Sequence, residues 1–373
     1  MKSMSKNVCI FLSLMFACTT LSACGSSENS SASENKSTEA TSTAITQDAT
    51  SGQKEGETYI GADYTGSPIS IKAAHTGNEN TTYQVGMLAF KDYVESHSNG
   101  KYTVDIFPST LGGDSDLYEG LQIGTVDFAE VNTSVISNTV EDLKVLDLPF
   151  MFSTREQAYA VLDGEIGDKL LQEITDQAGI KAICFWENGF RDFTNNVHPI
   201  ATPDDLKDLN MRCMQSDIYL NTFKNWGCNV SVMSISETVT AMQSGVIDGH
   251  DNNPDTVVAN SMWEYQKYFS DSRHFYACKT LDFSQSFWSS LDSEEQNMFT
   301  EAAKYARDKE RMECANRYDA ALDKLKENGM EVTSHDEIDI DAFKESVQPI
   351  WSEYENTLGN LINEVKAVVD ATN

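Results

Sequence analysis

Positive charge is what this chain has least of. Its 373 residues hold 27 Lys and Arg against 58 Asp and Glu, a formal net charge of −31, and the pI is near 4.4. So acidic a protein repels nucleic acid and anionic membrane surfaces, which excludes both as partners. It also repels anionic ligands at long range, so an anion site here needs cationic groups placed locally. Catalytic signatures are missing too: there is no GxSxG elbow, HExxH pair, GxxxxGK[ST] loop or GxGxxG fingerprint. The six histidines (His75, His97, His198, His250, His274 and His335) never pair at metal-ligand spacing, and no CxxC occurs, so no metal and no cofactor is expected. Beyond the N-terminal leader no apolar run is long enough to span a bilayer. These absences shift weight from catalysis to binding.

The leader itself is informative. Lys2 and Lys6 precede the apolar run Cys9–Cys18, which is too short for a permanent membrane helix. Leu21-Ser22-Ala23-Cys24 follows and resembles the bacterial lipobox. That resemblance implies a signal peptide over 1–23 and a diacylated Cys24, an extracytoplasmic protein held to membrane lipid by two acyl chains. Removing the two leader lysines takes the net charge from −31 to −33. Residues 24–68 are rich in Ser, Thr, Glu, Gly and Ala, cannot bury enough apolar surface to fold, and read as a flexible tether. Outside the leader five cysteines remain, Cys184, Cys213, Cys228, Cys278 and Cys314. The odd number signals no disulfide framework. They read as buried free thiols, with a Cys213–Cys228 bridge as the alternative.

The folded part alternates strands and helices. Ser70–His75 and Tyr102–Phe107 read as strands, the second stopped by Pro108, with an amphipathic helix over Tyr83–Ser96 between them. A helix over Ser115–Ile123 and a strand over Thr125–Ala129 follow. Ile180–Trp186 and Leu209–Cys213 read as strands and Ile218–Trp226 as a helix. Thr202-Pro203-Asp204-Asp205 marks a helix start, and Ser234-Ile235-Ser236-Glu237 is a capping box opening the helix Thr238–Ser244. The tail from Glu294 is almost wholly helical, broken near Gly329–Asp336. This alternation predicts an α/β fold with a largely parallel sheet.

The most informative stretch runs from Trp186 to Ala303. It carries Asn188-Gly189-Phe190-Arg191-Asp192, Pro203-Asp204-Asp205-Leu206-Lys207, Met211-Arg212, Ser244-Gly245-Val246-Ile247-Asp248-Gly249, Asp251-Asn252-Asn253-Pro254, Tyr265-Gln266-Lys267-Tyr268 and Trp288-Ser289-Ser290-Leu291. Upstream stand Phe107-Pro108, Leu111-Gly112-Gly113, Gly124-Thr125-Val126-Asp127 and Leu146-Asp147-Leu148-Pro149-Phe150. In order and spacing this series resembles the DctP-type solute-binding proteins of TRAP transporters, over nearly all of residues 69–365. The resemblance implies a two-lobed, periplasmic-binding-protein-like α/β fold with a hinge and long C-terminal helices. Lobe I would hold 69–189 and 277–317, and lobe II 190–276 and 318–373. It implies capture of a small organic acid and delivery to the membrane subunits of a TRAP transporter, with no catalysis.

It also assigns residues. Arg212 takes the place of the carboxylate clamp, a role that suits the planar guanidinium fork. Arg191 matches a second, conditional ligand, with an interlobe ion pair as the alternative. Asn252 matches an amide of the family's Asp-Gly-x-acid-Asn motif. Asp251 stands where most relatives have Glu, and Asn132 where some place an acid. Trp186 is either core or a pocket wall. His75, Asn78, Glu79 and Asp114 border the cleft by analogy, whereas Glu237 is better explained by the capping box. Asn252-Asn253-Pro254 resembles the variant found in sugar-acid binders, which favours a sugar acid such as a uronate. The alternatives are a C4-dicarboxylate, a lipoprotein enzyme acting on acidic sugars, and a sensor subunit.

Overall fold

The computed structural model describes residues 64–372. The signal peptide, Cys24 and the tether up to residue 63 lie outside the described residues. Among the described residues nine strands form one sheet: β1 (Ile69–His75), β2 (Tyr102–Pro108), β3 (Phe128–Asn132), β4 (Ile180–Asn195), β5 (Asn210–Cys213), β6 (Asn229–Val232), β7 (Gly249–Asn252), β8 (Tyr268–Ser284) and β9 (Glu331–Thr333). Their order is β2-β1-β3-β8-β4-β7-β5-β6, with β9 paired to β8.

The sheet is mixed, which corrects the largely parallel sheet expected above. Parallel pairing holds within β2-β1-β3 and within β7-β5-β6. Between these two groups, β4 and β8 run antiparallel to each other and to β7 and β3, while β9 pairs parallel to β8. β4 spans 16 residues and β8 17, so both run from one group of strands into the other and join two lobes. Their register shifts between Glu187 and Gly189, where Gly189 takes φ +94°, a value a side chain tolerates poorly.

β4 was expected to end at Trp186 but continues to Asn195. The polar residues that hid its second half are paired: Glu187 with Arg155 at 2.7 Å, Arg191 with Asp251 at 2.5 Å, and Asp192 with the Tyr318 hydroxyl at 3.0 Å. Buried charges persist only with such partners. Thr202 opens only a 3-10 turn, Pro203–Leu206, because Leu206 is buried and the chain then enters β5. The tail forms the 35-residue helix Ser293–Glu327. Asp292 caps it, accepting from Glu294 N at 3.0 Å and Glu295 N at 2.9 Å. This helix packs on Thr82–His97 around Phe90, Met298, Phe299 and Ala302. After β9 come the helices Ile340–Ser346 and Gln348–Ala371. All five cysteines among the described residues are free, so the Cys213–Cys228 bridge is not formed.

Candidate functional site

Parallel strands deliver their carboxyl ends to one crevice, where open α/β sheets bind ligands. β1 ends before Thr76, β3 ends on Asn132, β5 carries Arg212 as its third residue, and β7 ends on Asn252. With Arg191 and Asn188 of β4 and Lys279 of β8, these residues line a cavity of about 210 Å³. It lies below the roughly 300–1,000 Å³ of pockets for drug-sized molecules, a size suited to a small ligand.

The three cations in this cavity differ in how they are satisfied. Arg191, 1% exposed, gives its Nε to Asp251 Oδ2 and its Nη2 to Asp251 O, and Nη1 reaches Asn252 Oδ1 at 3.3 Å. Burial alone would raise the Asp251 carboxyl, but the Arg191 charge and hydrogen bond, with His274 Nε2 at 3.6 Å, hold it well below the usual carboxylate range. Lys279 Nζ lies 2.5 Å from Glu130 Oε2 and 3.2 Å from Asp114 Oδ1, and donates to Thr76 Oγ1 at 3.1 Å. Arg212 is different. It is 4% exposed, gives its Nε to Met233 O at 2.9 Å, and has no carboxylate within ion-pair distance among the described residues. Burial, and then repulsion from Arg191, lower its pKa from 12.5 to about 10. The cavity therefore holds one buried guanidinium without a counter-ion.

Neutral donors and acceptors complete the wall. Asn252 Oδ1 accepts from Asn253 N at 3.0 Å, and its Nδ2 meets no acceptor among the described residues. Asn188 Oδ1 accepts from Tyr83 Oη and Asn253 Nδ2, both at 2.8 Å. Asn132 Oδ1 accepts from Ser134 N at 3.3 Å and Ser134 Oγ at 3.0 Å, capping a short helix. Ser234 and Ser236 flank Ile235 on the cavity wall, where Ser234 N donates to Glu237 Oε2 at 2.9 Å. The capping box is thus formed, and Glu237 lies off the cavity wall.

The model of one family, bacterial extracellular solute-binding protein, family 7 (DctP), matches residues 73–357. The chain belongs to the DctP family. Its members are solute-binding proteins, not enzymes. A solved sugar-acid-binding protein from Advenella mimigardefordensis, in complex with galactonate, is 28% identical with a TM-score of 0.79, covering 82% of this chain and 99% of that one. A TRAP periplasmic solute-binding protein from Sulfurospirillum deleyianum, with bound succinate, is 29% identical with a TM-score of 0.77, covering 81% and 100%. A C4-dicarboxylate-binding protein of Bacillus subtilis is 28% identical over 300 residues, 80% of this chain and 85% of that one.

Of the residues singled out in the sequence, Arg212, Arg191, Asn252, Asn132 and Asp114 come together on the cavity wall. Asp251, Trp186, His75 and Glu79 do not line it. Asp251 is buried behind Arg191 as its counter-ion. Trp186 is fully buried in the core, its ring filling the space that the missing side chain of Gly86 leaves open. His75 is buried beside the cavity with Nε2 2.7 Å from Gln84 Oε1, and Glu79 is exposed on the following loop. Lys279, Glu130 and Thr76 escaped the sequence reading. The available signal was a lone lysine inside the otherwise unexposed run Phe275–Ser284, since a fully buried lysine requires acids around it.

Proposed function

We propose that the protein captures a small hydroxylated organic acid, a sugar acid such as a uronate, and hands it to the membrane subunits of a TRAP transporter. Arg212 carries this reading, as a buried guanidinium with no counter-ion in a cavity of about 210 Å³. A ligand carboxylate supplies the missing charge and accepts two parallel hydrogen bonds from the fork. Arg191, already held by Asp251, stiffens the wall and adds Nη1 as a secondary donor. Asn252, Asn188 and Asn132 offer amides that donate to carboxylate or accept from hydroxyl. The lobes divide near Gly189 on β4 and Ala277 on β8, and close over the ligand. A C4-dicarboxylate is the second reading, favoured by the succinate-bound relative and the dicarboxylate-binding relative.

The lipobox resemblance supports a lipoprotein tethered through acylated Cys24. Recovering Cys24→Ser quantitatively lipid-modified would refute that anchor. Mass spectrometry of ligand released from protein purified without added solute tests the main reading. A small acid bearing hydroxyl groups is expected, and a neutral sugar or a peptide would overturn it.

A further inference from the structure

We propose that Lys279, Asp114 and Glu130 form a selectivity element that rejects a second carboxylate, so that the cavity takes acids with one carboxylate and hydroxyls at the far end. This rests on the reading that an acid binds at Arg212.

An ammonium has three N–H donors. Those of Lys279 face three acceptors: Glu130 Oε2 at 2.5 Å, Asp114 Oδ1 at 3.2 Å and Thr76 Oγ1 at 3.1 Å. The Nζ also lies 4.7 Å from the centroid of the Tyr83 ring. No Lys279 proton is left for a ligand. Two acids against one cation give this corner no surplus positive charge. Glu130 is held in place by Thr76, whose N and Oγ1 donate to Glu130 Oε1 at 2.7 and 2.8 Å. Asp114 is fixed by Asn132 N at 2.8 Å. The corner is therefore built, and freeing the lysine would mean breaking buried hydrogen bonds.

Lys279 is also four residues along β8 from Phe275, the strand partner of Arg191, which is roughly 14 Å of strand, so the corner and the Arg191 pair sit at different points along the sheet. Arg191 is already balanced by Asp251, so Arg212 is the uncommitted cation on the wall. A ligand with one carboxylate matches this arrangement. A ligand with a second carboxylate at its far end carries it to Asp114, with no free donor and like charge nearby. A hydroxyl there donates to the Asp114 carboxylate instead.

Matched acids test this by calorimetry on the wild-type chain and on Asp114→Asn. The variant keeps an acceptor for Asn132 N while removing one charge from Lys279. The pairs are galactonate and galactarate, gluconate and glucarate, and succinamate and succinate, each differing by one carboxylate. In the wild type the singly charged member should bind about a hundredfold more tightly, the scale of a like-charge clash. In Asp114→Asn the gap should narrow about tenfold. A doubly charged acid within threefold of its partner in the wild type would overturn the inference while leaving acid binding at Arg212 intact. An unchanged gap in a folded Asp114→Asn would overturn the role of Asp114. No binding by any of the six acids, nor by galacturonate or glucuronate, would remove the acid-binding reading, and the inference with it.

Discussion

Replacing Arg212 should cost most of the binding energy and none of the ligand-free stability. In a closed cleft the ligand carboxylate loses its water, and an unmatched charge there is expensive. Removing one partner of a buried charged pair costs about 2–5 kcal/mol, or roughly thirty- to several-thousand-fold in affinity. Arg212→Lys keeps the charge but loses the fork, so it should also bind weakly. Without ligand the same guanidinium is a burden, because burial and Arg191 lower its pKa from 12.5 to about 10. For a cation depressed in the folded state, the penalty is full below the folded pKa and fades as pH rises toward the unfolded value. At neutral pH it amounts to about 3 kcal/mol. Losing the bond to Met233 O returns about 1 kcal/mol of that. Arg212→Met, which keeps apolar volume, should therefore raise the ligand-free melting temperature by roughly 5 °C. Calorimetric titration with the native acid, thermal melts without it and circular dichroism of each variant are the assays. If Arg212→Ala binds within about threefold of wild type, or ligand-free Arg212→Met melts well below it, the clamp assignment is wrong.

Arg191→Ala should lower stability by about 3–5 kcal/mol, because it strands the buried Asp251 charge; a melting point equal to wild type would show that the pair is not structural. Asp147 is fully buried with neither carboxyl oxygen hydrogen-bonded, and burial pushes its pKa to about 8 against the pull of Arg191. A raised carboxyl costs stability that appears above the unfolded pKa of 3.8 and grows until pH 8, so Asp147→Asn should stabilise by about 4 kcal/mol at pH 7 and by almost nothing at pH 3.5. A pH-independent gain in parallel melts would contradict this. Saturating ligand should reduce the radius of gyration in small-angle scattering as the lobes close. Asn78→Ala removes hydrogen bonds to Ala259 O at 2.9 Å and Asn260 Oδ1 at 3.3 Å, which would join the two proposed lobes, and should weaken affinity about tenfold; unchanged scattering and affinity would count against a closing cleft.

The legible part of the fold was the part governed by local rules. β1, β2 and β5 were visible as short runs of strand-forming residues, and their observed bounds differ from the reading by a residue or two. The Ser234–Glu237 capping box was visible because it is a four-residue pattern, although the helix begins earlier, at Ile235. What failed was the centre of the sheet. β8 was missed, and half of β4, because both carry buried charged and amide residues where strand periodicity calls for apolar ones. Glu187, Arg191, Asp192, Asp271, Lys279 and Asp282 are all buried on these two strands. Their partners come from distant segments: Arg155 for Glu187, Asp251 for Arg191, Asp114 and Glu130 for Lys279. No window of sequence shows such pairings, so β8 and the second half of β4 received no strand assignment. The parallel or antiparallel sense of β4 and β8 is likewise a property of the tertiary fold.

The same long-range pairing explains how a chain of net charge −31 offers an anion site. Charges beyond about 8 Å in solvent are screened at physiological ionic strength, so the acidic surface acts mainly on the approach of a ligand. Inside the cavity the balance is set by contacts of a few ångströms. Arg191 is cancelled by Asp251, and Lys279 is more than cancelled by Asp114 and Glu130, which leaves Arg212 alone. Counting cations on the wall suggests a site for a multiply charged anion. Counting the cations that still lack a counter-ion gives a site for one carboxylate, so it is the acids paired with the wall cations that set how much charge a ligand can bring.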